Sequence, residues 1–287
     1  MVINLVILFA FLAMLSWGFG DFFIQKSVKK LGIVGSLAWI GVIGSIVLLP
    51  LVFKDFGLLK DSTNLIIIVG LGVLTFVSAI FDFKALKDGK LSVVDVVIEM
   101  ELPITIALSF IFLNEVLSGK QLLIVLFIFV GVVLTAIKSF SHFKSKIEKG
   151  VFMALVAALF FGILNVAVGF SAKTISPILV IWGSWVVFTI ISLVFIVARG
   201  EFKKFISQGV ENGKLVLVTG VVDTFAWVFY ALALEKSKIS LVTAITESYP
   251  AVALFLGVMI NKEKVALHQY VGAVIAIACS VLLSMTI

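Results

Sequence analysis

Charged side chains are scarce in this sequence of 287 residues. Asp, Glu, Lys and Arg together make up only 13% of it, against roughly 25% in an ordinary soluble domain. Hydrophobic residues make up 62%, and a soluble fold needs more polar side chains than that to cover its surface. The composition therefore excludes a soluble globular protein. It predicts an all-α, multi-pass membrane protein.

Cysteine and histidine are almost missing. The single cysteine, Cys279, cannot form an intrachain disulfide, and His142 and His268 lie in or beside predicted loops. The sequence has no Gly-x-Ser-x-Gly motif, so neither a zinc site nor an intramembrane serine protease is indicated. We therefore predict a protein that is not an enzyme and that uses no cofactor or metal. Although the net charge is +6, the basic residues lie in short loops, as at a membrane edge, and we expect no nucleic-acid partner.

The hydrophobic runs predict ten transmembrane helices, because a spanning helix needs about 20 mainly apolar residues. The first run has no basic flank and no cleavage site, so we interpret it as a retained helix. Residues 199–213 predict a short amphipathic segment at the surface. The ten predicted spans are residues 3–24, 33–53, 64–83, 92–113, 121–137, 150–172, 177–198, 214–234, 240–260 and 267–285.

The chain contains an internal repeat. With an offset of 144 to 148 residues, Pro103 aligns with Pro250 and Glu115 with Glu263. Each half, residues 1–147 and 148–287, holds five predicted spans, and an odd number inverts the second half in the membrane. Inverted repeats are a recurring architecture of secondary transporters.

The basic residues predict the orientation of the chain. Connections after the odd-numbered spans hold 16 Lys and Arg residues when Lys214, the first residue of the eighth span, is counted with them, and those after the even-numbered spans hold 6. Because cytoplasmic loops are enriched in Lys and Arg, the first set is predicted to be cytoplasmic. Both termini are then outside.

Acidic residues precede the central proline of a span in each half. Glu99 and Glu101 precede Pro103, and Glu247 precedes Pro250. A charge at mid-membrane costs about 2.5–3.5 kcal/mol and so indicates function. Glu99 and Glu101 are separated by about 200° around a helix, so they face different directions. Each proline is predicted to free a backbone carbonyl, that of Glu99 in the first half.

These central groups form the predicted substrate site. Prolines that only kink a helix, and an Asn that only joins two helices, are the structural alternatives. Trp17, Trp182 and Trp185 either line the cavity or simply pack. Asp21 and Asp82 are assigned a structural role near span ends. The predicted substrate-binding residues are Glu99, Glu101, Asp223, Glu247, Tyr249, Trp227, Asn165 and Trp17.

Other residues have structural interpretations. Glu115 and Glu263 lie at turns, where we expect them to cap or orient the next helix. Small residues permit close helix contact. We assign this role to Gly41, Gly44, Gly70 and Gly72.

Three motifs resemble a known family. They are SWGFGDFF at 16–23, the proline motifs ELPITIALSF at 101–110 and ESYPAVALFLG at 247–257, and the turn FLNEVLSGKQ at 112–121. In this order and duplication the chain resembles an EamA-type member of the drug/metabolite transporter superfamily, a ten-helix family with two five-helix repeats. It departs from the family in having Asn114 near a usual glycine. Its charge pattern also differs from that of many relatives, whose N-terminus is inside.

The resemblance implies a secondary active transporter in the plasma membrane. Such a protein would export a small metabolite, amino acid-like or another polar solute, by alternating access. Since no ATP-binding motif is present, protons or another gradient would drive it. A divalent cation permease of the magnesium type is the alternative within the superfamily, and a membrane scaffold or lipid-modifying enzyme is a more distant one. The expected partners are the solute, protons and the lipid bilayer, with the protein a monomer or homodimer.

Overall fold

The computed structural model describes residues 5–88, 97–136, 150–252 and 266–286. Every regular element in these ranges is helical and none is a strand, in agreement with the predicted all-α class. A 3₁₀ segment, Phe53–Lys60, follows the second helix. The α-helices are α1 (Leu5–Leu31), α2 (Ile33–Val52), α3 (Ser62–Asp88), α4 (Glu101–Leu113), α5 (Gly119–Ala136), α6 (Val151–Thr174), α7 (Pro177–Ala198), α8 (Phe202–Glu211), α9 (Gly213–Glu235), α10 (Ile239–Thr246) and α11 (Leu267–Ser284).

Seven helices in the described ranges are long and apolar enough to cross a membrane: α1, α2 with its 3₁₀ extension, α3, α6, α7, α9 and α11. They coincide with seven of the ten predicted spans. Two shorter apolar helices, α4 and α5, occupy the fourth and fifth predicted spans. The ninth predicted span is described only as far as residue 252.

Two helices are longer than the hydrophobic runs predict. α1 continues to Leu31 and α3 to Asp88. Lysines in the last turn of α1 interact favourably with the helix dipole. Gly32, which follows α1, has φ 75°, a backbone angle that favours glycine. Hydropathy does not detect these polar final turns. In the structure, Asp21 and Asp82 lie inside continuous helices rather than at their ends.

The predicted amphipathic segment forms helix α8. Phe205 is buried and stacks on Trp39 with ring centroids 4.7 Å apart. Phe202 and Val210 remain exposed. The side-chain amide of Gln208 also donates to the carbonyl of Lys30 at 3.2 Å. α8 is thus anchored to the bundle by Phe205 and Gln208, and it leaves some of its apolar side chains exposed.

The helices pack in pairs that a two-fold repeat relates. α1 packs on α9, and the equivalent pair in the repeat, α6 and α3, is also in contact. Equivalent helices also pack on each other, α2 on α7 and α5 on α11, and α4 of the fourth span packs on α10 of the ninth. Most of the core therefore lies between the two halves of the chain.

The fourth and ninth predicted spans are both interrupted at acidic residues. A turn at Glu99 and Met100 precedes α4, and a turn at Glu247 and Ser248 follows α10. The nearby prolines account for both breaks, because each lacks the N–H of a regular helical hydrogen bond. The carbonyl of Glu99 is not free, however, since the amide of Leu102 donates to it at 3.2 Å. That sequence prediction is wrong, because a tighter turn replaces the bond that proline removes.

Glu115 connects the two halves. Its carboxylate accepts hydrogen bonds from the amides of Ile239 and Ser240, at 2.9 and 3.1 Å, and from the Ser240 hydroxyl at 3.1 Å. It therefore caps α10. Of the prediction that it caps or orients the next helix, the capping is wrong. That helix, α5, is capped by Ser118, whose hydroxyl accepts a hydrogen bond from its first turn. The repeat counterpart, Glu263, lies outside the described residues.

Three of the four glycines assigned to close helix contact have that role. A Cβ atom at Gly41, Gly44 or Gly72 would collide with side chains of α7. A Cβ atom at Gly70 would meet no neighbouring atom within 4 Å, so the assignment to close helix contact is wrong for this residue. The error arises because Gly70 lies on an exposed face of α3.

Candidate functional site

A cavity lies between the two halves of the chain. Its walls come from α1, α2, α3, α4, α6, α7 and α9 and from the turn that follows α10. Its volume is about 110 Å³, which is room for several water molecules or one small solute. Elements of both repeats are thus needed to form it.

The cavity brings together most of the predicted site residues. Glu99 is not part of its lining; this residue is buried, with 1% of its surface exposed, and interacts electrostatically with Glu101. The other seven line the cavity: Trp17, Glu101, Asn165, Asp223, Trp227, Glu247 and Tyr249. The two neighbouring glutamates therefore differ in their access to a solute.

Two further acids line the cavity, Asp21 and Asp82. Both were predicted to have a structural role near span ends, and their place in the lining corrects that prediction. The reason is the length of α1 and α3, which extend beyond the hydrophobic runs. A signal was present in the sequence, since Trp17 and Asp21 are four residues apart and so share one helix face.

Glu101 and Glu247 are hydrogen-bonded to each other through their side chains. Glu101 begins α4, and Glu247 lies in the turn after α10, so the bond joins the two interrupted spans. Thr246 also donates to Glu247, at 3.4 Å. A hydrogen bond between two carboxyl groups needs a proton on one of them. The pair can therefore hold one proton at the interface of the two halves.

An aromatic wall adjoins these acids. The rings of Trp17 and Trp227 meet edge to face at 5.3 Å, and Trp17 lies 6.4 Å from Tyr249. Trp227 continues to Trp185 at 6.0 Å. Trp185 lines the cavity, whereas Trp182 does not. The indole of Trp182 donates to the carbonyl of Ser45 at 3.0 Å. Aromatic faces of this kind attract cations.

Several polar groups in the lining already have protein partners. The amide of Asn165 donates to the Thr105 hydroxyl at 3.3 Å, and the Trp185 indole donates to Thr224 at 3.0 Å. The hydroxyl of Tyr249 is hydrogen-bonded to Asp21. Asn165 thus both lines the cavity and joins α6 to α4.

The charge of the lining is one-sided. Five carboxyl groups line the cavity, and none of its lining residues is Lys, Arg or His. Protons or bound cations must compensate these acids, because like charges in a low-dielectric site cannot all remain ionised. In the described ranges, no three Asp, Glu, His or Cys side chains come together as metal ligands. The site therefore gives no support to the divalent cation alternative.

Comparison with known proteins agrees with this two-fold architecture. The model of the EamA-like transporter family matches residues 4–137 and, a second time, residues 148–285. The chain belongs to the EamA-like transporter family. As an EamA-like chain it is a multi-pass membrane transporter of small solutes, which confirms the resemblance seen in its motifs. Proteins of this family transport solutes and are generally not enzymes.

A solved structure shows the same fold. This crystal structure, described only as that of a protein, matches the EamA-like chain with a TM-score of 0.77 over 98% of the chain and 96% of its own length, at 15% identity. At that identity the likeness concerns the fold alone. No curated protein matches the chain.

Proposed function

We propose that this EamA-like chain is a secondary active transporter that exports a small cationic or zwitterionic metabolite by alternating access, driven by protons. Its ten transmembrane helices would form two inverted five-helix repeats, residues 1–147 and 148–287, with the substrate site between them. The observation that carries the proposal is the hydrogen bond between Glu101 and Glu247, because it puts an exchangeable proton where the two repeats meet.

The interrupted helices support this function. Discontinuous helices at the repeat interface are a recurring feature of transporter sites near mid-membrane. Here α4 begins, and α10 ends, next to the paired glutamates. A cationic solute that approaches the pair competes with its proton, since both neutralise the same charge. Solute movement in one direction is thereby coupled to proton movement in the other.

The remaining site residues have distinct roles in this proposal. Asp223 attracts the cationic group of the solute, and Trp17, Trp227 and Tyr249 hold its apolar part. Asn165 keeps α6 attached to α4 beside the cavity. Glu99, which lies outside the lining, adjusts the charge at Glu101.

Transport by the purified protein in proteoliposomes tests the proposal. Uptake of labelled amino acids and amines is measured with an imposed pH gradient, with an imposed membrane potential, and after an ionophore has removed both. We expect the pH gradient to accelerate solute movement and the ionophore to abolish the acceleration. Liposomes without protein are the blank. A protein whose transport of every solute is indifferent to every gradient is not the proposed transporter.

A further inference from the structure

We infer that the substrate of this cavity is a small organic amine that carries no carboxylate, in preference to an amino acid. The inference rests on the proposed transport function and narrows its substrate class. It follows from three properties of the lining: its charge, the hydrogen bonds its polar groups already make, and the arrangement of its aromatic rings.

The charge of the lining favours an ammonium group and opposes a carboxylate. Five carboxyl groups surround the cavity without a basic lining residue. An ammonium group finds partners there at once. An amino acid would also have to bury its own carboxylate among these acids, and an unpaired buried charge is strongly unfavourable.

Several neutral donors of the lining are already bonded to the protein. The Asn165 amide and the Trp185 indole are bonded to threonine hydroxyls. The Thr75 hydroxyl donates to a backbone carbonyl of its own helix at 2.8 Å, and the Tyr249 hydroxyl is bonded to Asp21. A carboxylate that used one of these groups would break its bond, which adds to the cost. The second N–H of Asn165 and the indoles of Trp17 and Trp227 are neutral donors, so they cannot neutralise a carboxylate among five acids.

The tryptophans provide a matched surface for the rest of an amine. Trp17 and Asp21 on α1, and Asp223 and Trp227 on α9, are each four residues apart and share a helix face. The two tryptophan rings meet at 5.3 Å, and the two aspartates interact electrostatically. An ammonium group bound between the acids therefore has aromatic rings beside it, which is the arrangement for cation–π binding.

Phenylalanine side chains complete the apolar surface. Phe83, Phe161 and Phe188 line the cavity together with the tryptophans. An amine with an aromatic or alkyl body can bury that body here. A small inorganic cation would leave the same rings without a partner.

Pairs of compounds that differ only by a carboxylate test the inference. Tryptamine is compared with tryptophan, phenethylamine with phenylalanine, and cadaverine with lysine. Binding to the purified full-length protein is measured by thermal shift and calorimetry, and transport by uptake into proteoliposomes. We expect each amine to bind at least about tenfold more tightly than its amino acid, and only the amine to be transported efficiently.

Two aspartates of α3 provide matched variants. Asp82 lines the cavity, whereas Asp88 is exposed at the end of the same helix. We expect Asp82→Asn to weaken amine binding several-fold and Asp88→Asn to leave it unchanged. Because the comparison of amines with amino acids uses the wild-type protein, it stands even if Asp82→Asn fails to fold.

The outcomes separate the inference from the proposed function. Amino acids that bind as tightly as their amines, and are transported, overturn the inference and leave gradient-driven transport intact. If neither the amines nor the amino acids bind or are transported, the inference is overturned as well. If transport is then also indifferent to every imposed gradient for every solute, the proposed function fails with it.

Discussion

The carboxyl groups of Glu101 and Glu247 are hydrogen-bonded to each other across the two halves of the chain. Each lies at the break of an equivalent span, one at the start of α4 and the other after α10. When the shared proton leaves, two adjacent carboxylates repel each other. In the proposed mechanism this repulsion separates the two interrupted helices and so couples proton release to the conformational change.

Replacing either glutamate by glutamine tests this linkage. Glutamine preserves the size of the side chain and can still donate a hydrogen bond, but it cannot release a proton. We expect Glu101→Gln and Glu247→Gln each to lower proton-driven uptake into proteoliposomes by at least about tenfold, and the double variant to be no worse than either, because residues that act as one unit are not additive. Exchange of unlabelled for labelled substrate, which needs no net proton movement, should fall less than proton-driven uptake, because Asp223 still attracts the solute.

The control for these variants is Glu201→Gln. Glu201 is exposed in the connection before α8, and we expect its variant to transport like the wild type. Additive losses in the Glu101 and Glu247 variants, with exchange lost as well, would indicate two independent binding groups instead of one proton-sharing pair.

Trp17 should determine the affinity for the cationic solute. Its ring lies 5.3 Å from Trp227 and 5.2 Å from Tyr230, at the centre of the aromatic wall. Cation–π contacts contribute about 0.5–2 kcal/mol, so Trp17→Leu is expected to weaken amine binding by roughly 2- to 30-fold. Trp17→Phe, which keeps an aromatic face, should retain most of the affinity in isothermal titration calorimetry.

Trp182 is the matched control for Trp17. Its indole is bonded to Ser45 and its ring packs on Phe56 at 5.2 Å, away from the cavity lining. We expect Trp182→Leu to lower the melting temperature without changing amine affinity. Equal losses of affinity in the Trp17 and Trp182 variants would mean that both act through stability rather than by contact with the solute.

Some of the site residues could be predicted from the sequence and others could not, for physical reasons. Glu101 and Glu247 could be identified because a carboxylate at the centre of an apolar run is costly enough to indicate function. Asp21 and Asp82 were assigned a structural role, because hydropathy ends a span where polar residues begin, and a charge near a span end is inexpensive. The partner of Glu115 was also hidden, since an alignment of the two halves does not say which helices of opposite halves touch.

Two glycines of α3, Gly70 and Gly72, differ in the space available for a larger side chain. A Cβ atom at Gly72 would strike Val187 of α7, whereas at Gly70 it would have open space. Overpacking a tight contact typically costs 1–3 kcal/mol, so Gly72→Val should lower the melting temperature by several degrees. Gly70→Val, two residues away on the same helix, should not. Similar melting curves for the two variants, measured in detergent by intrinsic fluorescence, would contradict the close packing of α3 on α7.

Glu115 makes two kinds of contact, and their contributions to stability can be separated. It caps α10 with three hydrogen bonds from Ile239 and Ser240, and it lies 3.3 Å from Lys173, whose side chain is 34% exposed. Losing a helix cap costs about 0.5–2 kcal/mol, whereas an exposed ion pair contributes about 0–1 kcal/mol. Glu115→Ala should therefore destabilise the protein clearly more than Lys173→Ala does, as measured by the denaturation midpoint. If the two variants are equally destabilised, and high salt removes the effect of both, the ion pair rather than the cap holds the two halves together at this point.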